Sequence, residues 1–116
     1  MTHTTITTKS VKIGHHRGKR RIWLQGQSLT SAGWCRGTTF RVGWGGGGCV
    51  LRRGSTDFQT TTDDWDWEPA ERRVSGKGTA PIVDICCAKC ALAFADCERA
   101  SVTIGSDLII LAGLKP

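Results

Sequence analysis

The sequence has no apolar run long enough to cross a membrane, and it has no carboxylate in its first 54 residues. The longest apolar stretch, residues 108–114, is far shorter than the roughly 20 residues that a membrane helix needs. The first ten residues contain no apolar segment of the kind that secretory signals carry, so we expect a reducing, cytoplasmic location and no membrane partner. A chain of 116 residues predicts one domain with a modest core and excludes large multidomain enzymes.

Charge is distributed unevenly along the chain. Residues 1–54 contain ten Lys or Arg and no acid, residues 55–71 contain six acids and no base, and residues 72–116 contain six bases and four acids. The three segments therefore carry net charges of +10, −6 and +2, which give the formal total of +6. A segment without carboxylates attracts polyanions, which favours nucleic acid as the partner over a merely solubilising surface.

Two segments of the chain share one order of apolar positions and turns. With the sequence from Lys12 placed above that from Arg73, we predict a constant offset of 60 residues between the segments from Gly18 to Trp44. Before Gly18, the second segment lacks one residue that the first has. Beyond Trp44 the first segment is expected to have a longer glycine turn. The predicted strands are residues 11–13, 21–24, 39–44 and 49–52 in the first segment, and residues 72–74, 82–85, 101–104 and 108–111 in the second. The predicted helices are residues 27–32 and 87–94.

Each segment of about 45 residues is too small to cover its own sheet, so we expect the two to share one core. The predicted organisation is a flexible arm (1–9), a first repeat (10–54), an acidic linker (55–70) and a second repeat (71–114). The candidate core residues are Ile22, Leu24, Leu29, Trp34, Phe40, Val42, Trp44, Val50, Ile82, Ile85, Leu92, Phe94, Val102, Ile104, Leu108 and Ile110.

The first repeat contains an apolar strand, a glycine, a short helix ending in Leu-x-x-Ala-Gly-aromatic, and then x-x-Gly and a valine-containing strand. The residues of this pattern are Leu24, Gly26, Leu29, Ala32, Gly33, Trp34, Gly37, Phe40 and Val42. In this pattern the first repeat resembles the SymE-like branch of the AbrB superfamily. The second repeat places Cys86, Ala93 and Cys97 at the three glycine positions. The resemblance implies a mainly β fold with short helices, a swapped-hairpin β-barrel that two tandem repeats form as an intrachain pseudo-dimer, and nucleic-acid binding, mostly to DNA.

The strongest candidate contact is the turn between the first two strands, which has four cations within five residues. Lysine and arginine suit phosphate contacts, and the planar fork of arginine can also bind guanine edges in the major groove. The equivalent turn of the second repeat carries one cation, so we expect one main nucleic-acid arm. The predicted nucleic-acid-binding residues are His15, His16, Arg17, Lys19, Arg20, Arg21, Arg41, Arg52 and Arg53. Arg41 is expected to point away from the core because Phe40 and Val42 point inward.

His15 and His16 allow a second interpretation, in which they act as the general acid and base of a metal-free ribonuclease. A SymE-like toxin that targets RNA would need such a pair. Against catalysis, no carboxylate lies nearby in the sequence to orient either histidine, and adjacent residues of a strand point in opposite directions. We therefore expect no enzymatic activity.

Six cysteines leave metal binding as a minor alternative. Cys87 and Cys90 have the spacing of zinc ligands and Cys97 follows seven residues later, but the chain has no second Cys-x-x-Cys or His pair. We favour free cysteines that pack as small apolar side chains, and so no metal or other cofactor.

Trp65 and Trp67 stand in the acidic segment between the repeats. They would either dock on the fold while the acids lie over the basic first repeat, or bind a partner protein. The leading hypothesis is a regulatory protein that binds double-stranded DNA as a monomer or a further homodimer. One alternative is a small inhibitor from a phage or mobile element that binds a nucleic-acid-handling host protein, in the manner of an anti-CRISPR protein. The other is the RNA-targeting toxin.

Overall fold

Short alternating segments give this chain a mainly β structure. The structure, a computed structural model, describes residues 7–16, 19–54, 65–77 and 80–114. The strands in this part are β1 (Thr7–Lys12), β2 (Gly14–His16), β3 (Lys19–Gln25), β4 (Thr39–Gly45), β5 (Gly48–Arg53), β6 (Asp66–Trp67), β7 (Arg72–Arg73), β8 (Ser75–Lys77), β9 (Ala80–Ile85), β10 (Arg99–Ile104) and β11 (Leu108–Leu114). The helices are α1 (Gln27–Ser31) and α2 (Ala88–Ala93). The predicted class, mainly β with short helices, is confirmed.

The strands form two antiparallel sheets. The larger sheet has the order β1-β10-β11-β5-β4-β6, with β7 also paired to β4, and the smaller has the order β2-β3-β9-β8. Residues 7–9 of the predicted flexible arm belong to β1, where they pair with Ile104, Thr103 and Val102. The glycine run 45–48 turns β4 into β5, with Gly45 opposite Gly48 and Gly47 at a φ of 79°.

The first strand of each half pairs with the other half. Strand β1 pairs with β10, and β7 pairs with β4. The registers correspond, because Lys12 lies opposite Arg99 and its counterpart Arg73 lies opposite Thr39. The pairings of residues 12–53 and 73–113 thus follow one pattern twice.

The predicted closed barrel is wrong for the described part of the chain, where the two sheets remain open. Ile13 and Val74 are the residues at which the chain passes from one sheet to the other. Ile13 donates its backbone N–H to Glu98 and Val74 donates to Thr38, and beyond these bonds β2 and β8 turn to new partners. The ladder is interrupted at both residues, so no continuous ring of strands forms.

The offset between the two halves is 61 residues, not 60, up to the helices. Gly26 precedes α1 and Cys87 precedes α2, while Ile22 and Val83 are both buried. From Trp34, which corresponds to Phe94, the offset is 60. The single-residue difference therefore lies at Gly33, which ends α1 with a φ of 90° and has no counterpart after α2.

Most of the predicted core residues are buried, and the errors lie in the second half, chiefly where its alignment with the first half is off by one residue. Ile82 is half-buried while Val83 is buried, and Leu92 points outward from α2 with 79% of its surface exposed. Leu108 and Ile110 are exposed, and their neighbours Ile109 and Leu111 fill the core instead. The turn before β11 has the same length as the glycine turn, so Val50 corresponds to Ile110, its partner across the strands. The other predicted core residues are buried.

Candidate nucleic-acid interface

The basic hairpin, formed by β2 and β3, gathers most of the predicted contacts at one edge of the smaller sheet. His15 lies opposite Arg20, and His16 lies opposite Lys19. Arg17 lies outside the described residues. Lys19 is exposed and has no hydrogen-bond or ion-pair partner within the described residues. Two histidines and three consecutive cations are thus brought together in a strand pair only three residues long.

Arg21 is held firmly on the outer face of the smaller sheet. Its Nε and Nη2 donate to the two carboxylate oxygens of Asp84 at 2.8 and 2.9 Å. Its guanidinium also lies 4.3 Å from the centre of the Trp23 ring. The hydrogen bond with Asp84 raises the pKa of Arg21. Asp84 therefore offsets part of the charge that Arg21 would present to a polyanion.

Arg20 lies on the opposite face of β3 and ties the hairpin to the second half of the chain. Its Nη2 donates to the backbone oxygen of Ala95 at 2.8 Å, just after α2. The side chain is half-buried, and its Nη1 is a buried nitrogen without a hydrogen-bond partner in the described structure. This geometry makes Arg20 a positioning residue for the hairpin as well as a source of positive charge.

Arg41 and Arg52 form a second group on the outer face of the larger sheet. They are direct cross-strand partners in β4 and β5. Phe40 and Val42 are buried, so Arg41 points away from the core, as strand alternation predicts. The cross-strand pairing places two positive charges next to each other on this face. Arg41 also donates to the backbone oxygen of Pro69 at 2.7 Å.

Arg53 lies apart from both groups. It is the residue after Arg52 in β5, so it points to the opposite face of the sheet. Its Nη1 donates to the backbone oxygen of Ser106 at 3.3 Å. The predicted binding residues therefore separate into the basic hairpin, the Arg41–Arg52 pair and Arg53.

Trp65 and Trp67 are docked on the larger sheet. Strand β6 pairs with β4, which places Trp67 opposite Gly43. A Cβ at Gly43 would lie 2.8 Å from the Trp67 ring, and one at Gly45 would lie 2.8 Å from the Trp65 ring. Both rings are half-buried. The two glycines thus create the space in which the tryptophans lie.

The acids beside these tryptophans pair with cations of the second half. Asp66 accepts a hydrogen bond from Lys89 at 2.8 Å. Glu68 accepts from Arg72 at 2.9 Å and from the indole N–H of Trp44 at 2.9 Å. Asp66 therefore contacts the second half, and Glu68 joins Arg72 of the second half to Trp44 of the first. Of the other acids expected to lie over the basic first repeat, Glu71 is exposed, and Asp57, Asp63 and Asp64 lie outside the described residues.

The cysteines proposed as a minor zinc site have different environments. Cys87 is half-buried at the start of α2, and Cys90 and Cys97 are buried. Burial raises the pKa of Cys90 to about 11 and also raises that of Cys49, which disfavours the thiolate that zinc requires. Within the described residues, no group of three His, Cys, Asp or Glu side chains is arranged to hold a metal ion.

The prediction for catalysis by His15 and His16 gains no carboxylate from the fold. Asp84 is the only acid in the described strands of the smaller sheet, and its two oxygens are bound by Arg21. His15 is exposed and pairs in the ladder with Arg20. Among its described side chains, the hairpin therefore offers cations and the His15 imidazole to a ligand, without a carboxylate–histidine pair.

Two further features escaped the sequence analysis. Trp23 is 40% exposed on the outer face of β3, which the alternation of buried Ile22 and Leu24 could have predicted. Arg73 lines a cleft of about 530 Å³ together with Arg36. The pairing of β7 with β4 brings the two arginines to one cleft, and no local sequence pattern reveals this long-range contact.

A scan against known protein families finds none that matches this chain. Searches of curated proteins and of solved structures also return no match. Neither helix in the described part of the chain is long and apolar enough to span a membrane.

Proposed function

We propose that this chain binds nucleic acid through the basic hairpin, with double-stranded DNA as the first ligand to test and a regulatory role for the complex. The observation that carries the proposal is the absence of any acid among residues 1–54, which hold ten cations. Phosphate contacts dominate the affinity of most nucleic-acid-binding proteins, and an acid-free segment attracts phosphate without local repulsion. The hairpin supports this proposal by presenting Lys19 and His15 on exposed backbone at a sheet edge.

We also propose that the fold is a tandem relative of the AbrB-like swapped-hairpin domains. The exchange of first strands between the two halves supports this proposal. The pairing of β5 with β11 supports it as well. Val50 and Ile110 occupy equivalent positions in the two halves and lie opposite each other, so the pairing is symmetric on either side of them. The resemblance of the first repeat to the SymE-like branch points in the same direction.

The test is a titration of labelled double-stranded DNA and RNA across a salt series. If about five phosphates are neutralised, the logarithm of the association constant should fall with the logarithm of salt concentration at a slope near −4.5. Alanine at Arg17, Lys19, Arg20 and Arg21 should flatten this slope and weaken binding. The matched control removes four cations of the second half, by alanine at Arg73, Lys77, Lys89 and Arg99, and should bind more nearly like the wild type.

Because Arg20 and Arg21 make structural contacts, both variants should first be compared in chemical denaturation. A folded hairpin variant that binds as tightly as the wild type would contradict the proposed interface. Failure of the wild type to bind either nucleic acid at low salt would contradict the proposed function itself.

A second candidate function, binding a nucleic-acid-handling protein, is favoured by an apolar row on the outer face of the larger sheet. Trp67, Gly43, Val50 and Ile110 are successive neighbours across four strands. Gly43 and Val50 are buried in this row and Trp67 is half-buried, whereas Ile110 is 42% exposed. Leu108 and Leu114 extend the row along β11. Large exposed apolar patches commonly mark protein interfaces. Capture of a defined host protein that is lost on Ile110→Asp would support this function, and capture unaffected by the substitution would argue against this surface.

A further inference from the structure

Trp23 occupies the middle of an otherwise polar surface. It lies on β3, one of the two central strands of the smaller sheet. Lys19, Arg21 and Gln25 stand at every second position of the same strand as Trp23, so they share its outer face. Among the described residues, the other large exposed apolar side chains belong to α2 and β11. The ring is therefore an isolated aromatic surface among charged and polar groups.

The ring is held in place before any ligand binds. Its indole N–H donates to Oε1 of Gln25 at 2.7 Å. The Arg21 guanidinium lies 4.3 Å from the ring centre, and Asp84 fixes that guanidinium through two hydrogen bonds. Because these contacts already restrict Trp23, a ligand that stacks on it loses little additional side-chain freedom.

The chemistry of this surface suits a flat polar ligand with an adjacent negative charge. An isolated ring offers too little apolar area for a protein core contact, whereas the row on the larger sheet is continuous. Tryptophan faces stack on nucleobases, and neighbouring cations track the phosphates that join them. Lys19 lies on the same strand and face, two alternating positions away from Trp23.

We propose that Trp23 is a stacking platform for an unpaired base of single-stranded DNA or RNA, with Lys19 contacting a neighbouring phosphate. This inference rests on the proposed nucleic-acid binding and adds the requirement for an unpaired base. Bases inside a duplex are already stacked on each other and cannot use the platform. Asp84 is the residue of the second half that corresponds to Trp23, and it is also the cross-strand partner of Trp23. The first half therefore supplies the ring, and the second half supplies the carboxylate that fixes Arg21 beside it.

The experiment compares four ligands of equal length: oligo-dT, oligo-U, a strand of abasic residues and a DNA duplex. The proteins are the wild type, Trp23→Ala, Trp23→Phe and the matched control Leu92→Ala, which removes another exposed side chain. The wild type should bind oligo-dT or oligo-U more tightly than the abasic strand, which has the same phosphates without bases. Trp23→Ala should weaken binding to the base-containing strands about 5- to 140-fold and leave the abasic strand nearly unaffected.

The aromatic Trp23→Phe variant should retain most of the affinity, and Leu92→Ala should bind like the wild type. Oligo-dU serves as a further ligand, because it has the base of oligo-U and the sugar of oligo-dT. A preference between oligo-dU and oligo-U would identify DNA or RNA as the source of the base that stacks on Trp23. If Trp23→Ala weakens the abasic strand as much as the others, or weakens none, the platform is overturned. In that outcome the basic hairpin still stands if the wild type binds with steep salt dependence. If the wild type binds none of the ligands, both the proposed nucleic-acid binding and the Trp23 platform are overturned.

Discussion

The two halves of the molecule share a frame of strand pairings but differ in several of the side chains that they present to solvent. Residues 12–53 and 73–113 have corresponding registers and bury corresponding side chains, as with Ile13 and Val74. On the outer surface, Trp23 in the first half corresponds to Asp84 in the second, and Arg41 corresponds to Ser101. The inward residues thus conserve a shared fold, while the outward residues allow each half a separate role.

The edge strands show the same contrast. Strand β1 runs without a break along β10, whereas its equivalents β6 and β7 are separated by residues 68–71. Glu68 lies in this interruption and joins Trp44 to Arg72. The unbroken edge therefore combines a continuous backbone ladder with hydrogen bonds from Arg99 to Ser10. The interrupted edge has a shorter ladder and an ion pair between Glu68 and Arg72.

The largest expected effect tests whether the two halves share the core equally. Trp34 and its counterpart Phe94 are both fully buried. Replacing either with alanine should lower the unfolding free energy by about 3–5 kcal/mol. The loss should be greater for Trp34, because its indole N–H also donates to the backbone oxygen of Gly105 at 2.8 Å. Urea denaturation measures both values, and Leu92→Ala is the exposed control.

A near-neutral result for one of the two alanine variants would contradict a core shared by both halves. Trp34→Phe separates ring volume from the hydrogen bond, because it keeps an aromatic ring and removes the indole donor. It should cost less than Trp34→Ala and more than the control.

The next effect concerns the interrupted edge and depends on pH. Burial would raise the pKa of Glu68, but hydrogen bonds from Arg72 and Trp44 lower it below its ordinary value of 4.5. A lowered pKa stabilises the fold above the ordinary value, and this contribution is lost as the pH falls through the pKa of the folded state. Glu68→Gln should therefore cost about 1.5–3 kcal/mol at pH 7 and progressively less below pH 4.5.

Unfolding free energies of the wild type and Glu68→Gln, measured across pH, test this expectation. A difference that stays constant between pH 7 and pH 3 would show that Glu68 acts through packing and not through its charge. Asp107→Asn, an exposed carboxylate away from this interruption, serves as the control.

A smaller effect separates the outer surfaces of β4 and β10. Gly43 leaves room for Trp67, while its counterpart Thr103 lies opposite Thr8 and already has a side chain. Gly43→Thr should displace Trp67 and cost about 1–3 kcal/mol through overpacking. Thr103→Gly should cost no more than about 1 kcal/mol, because it removes only strand propensity. Increased quenching of tryptophan fluorescence by acrylamide should accompany Gly43→Thr alone.

The sequence was sufficient to predict both helices and most of the strands, because their alternation and turn glycines are local. It missed the short strands β2, β6 and β8 and the pairing of residues 7–9 in β1. The sequence also failed to show which residues of two strands in the second half, β9 and β11, point into the core. Ile82 and Val83 are both apolar, as are Ile109 and Ile110, so the sequence cannot show which of each pair points inward. Only the pairing with β3 and β5 decides this, and that pairing spans more than 50 residues.

The candidate site was predictable in composition but not in connectivity. The cations of the basic hairpin are evident in the sequence, whereas the engagement of Arg21 by Asp84 is not, because these residues lie 63 positions apart. Likewise, an acidic segment with two tryptophans is typical of either a linker or a docking strand. The rings of Trp67 and Trp65 lie in the space above Gly43 and Gly45, so this part of the segment is docked on the sheet.

The smallest effect concerns the single residue by which the two halves differ in length. Gly33 ends α1 with a φ of 90°, a conformation that side chains with a Cβ rarely adopt, whereas α2 passes from Ala93 to Phe94 without such a residue. Gly33→Ala should cost about 1 kcal/mol of unfolding free energy, chiefly from the backbone. The added Cβ would meet only the flexible end of Arg53, which can move aside. Gly33→Asn should cost less, because asparagine tolerates positive φ better than alanine. If both substitutions are neutral in urea denaturation, the extra residue is dispensable, and the difference in length between the halves has no structural role.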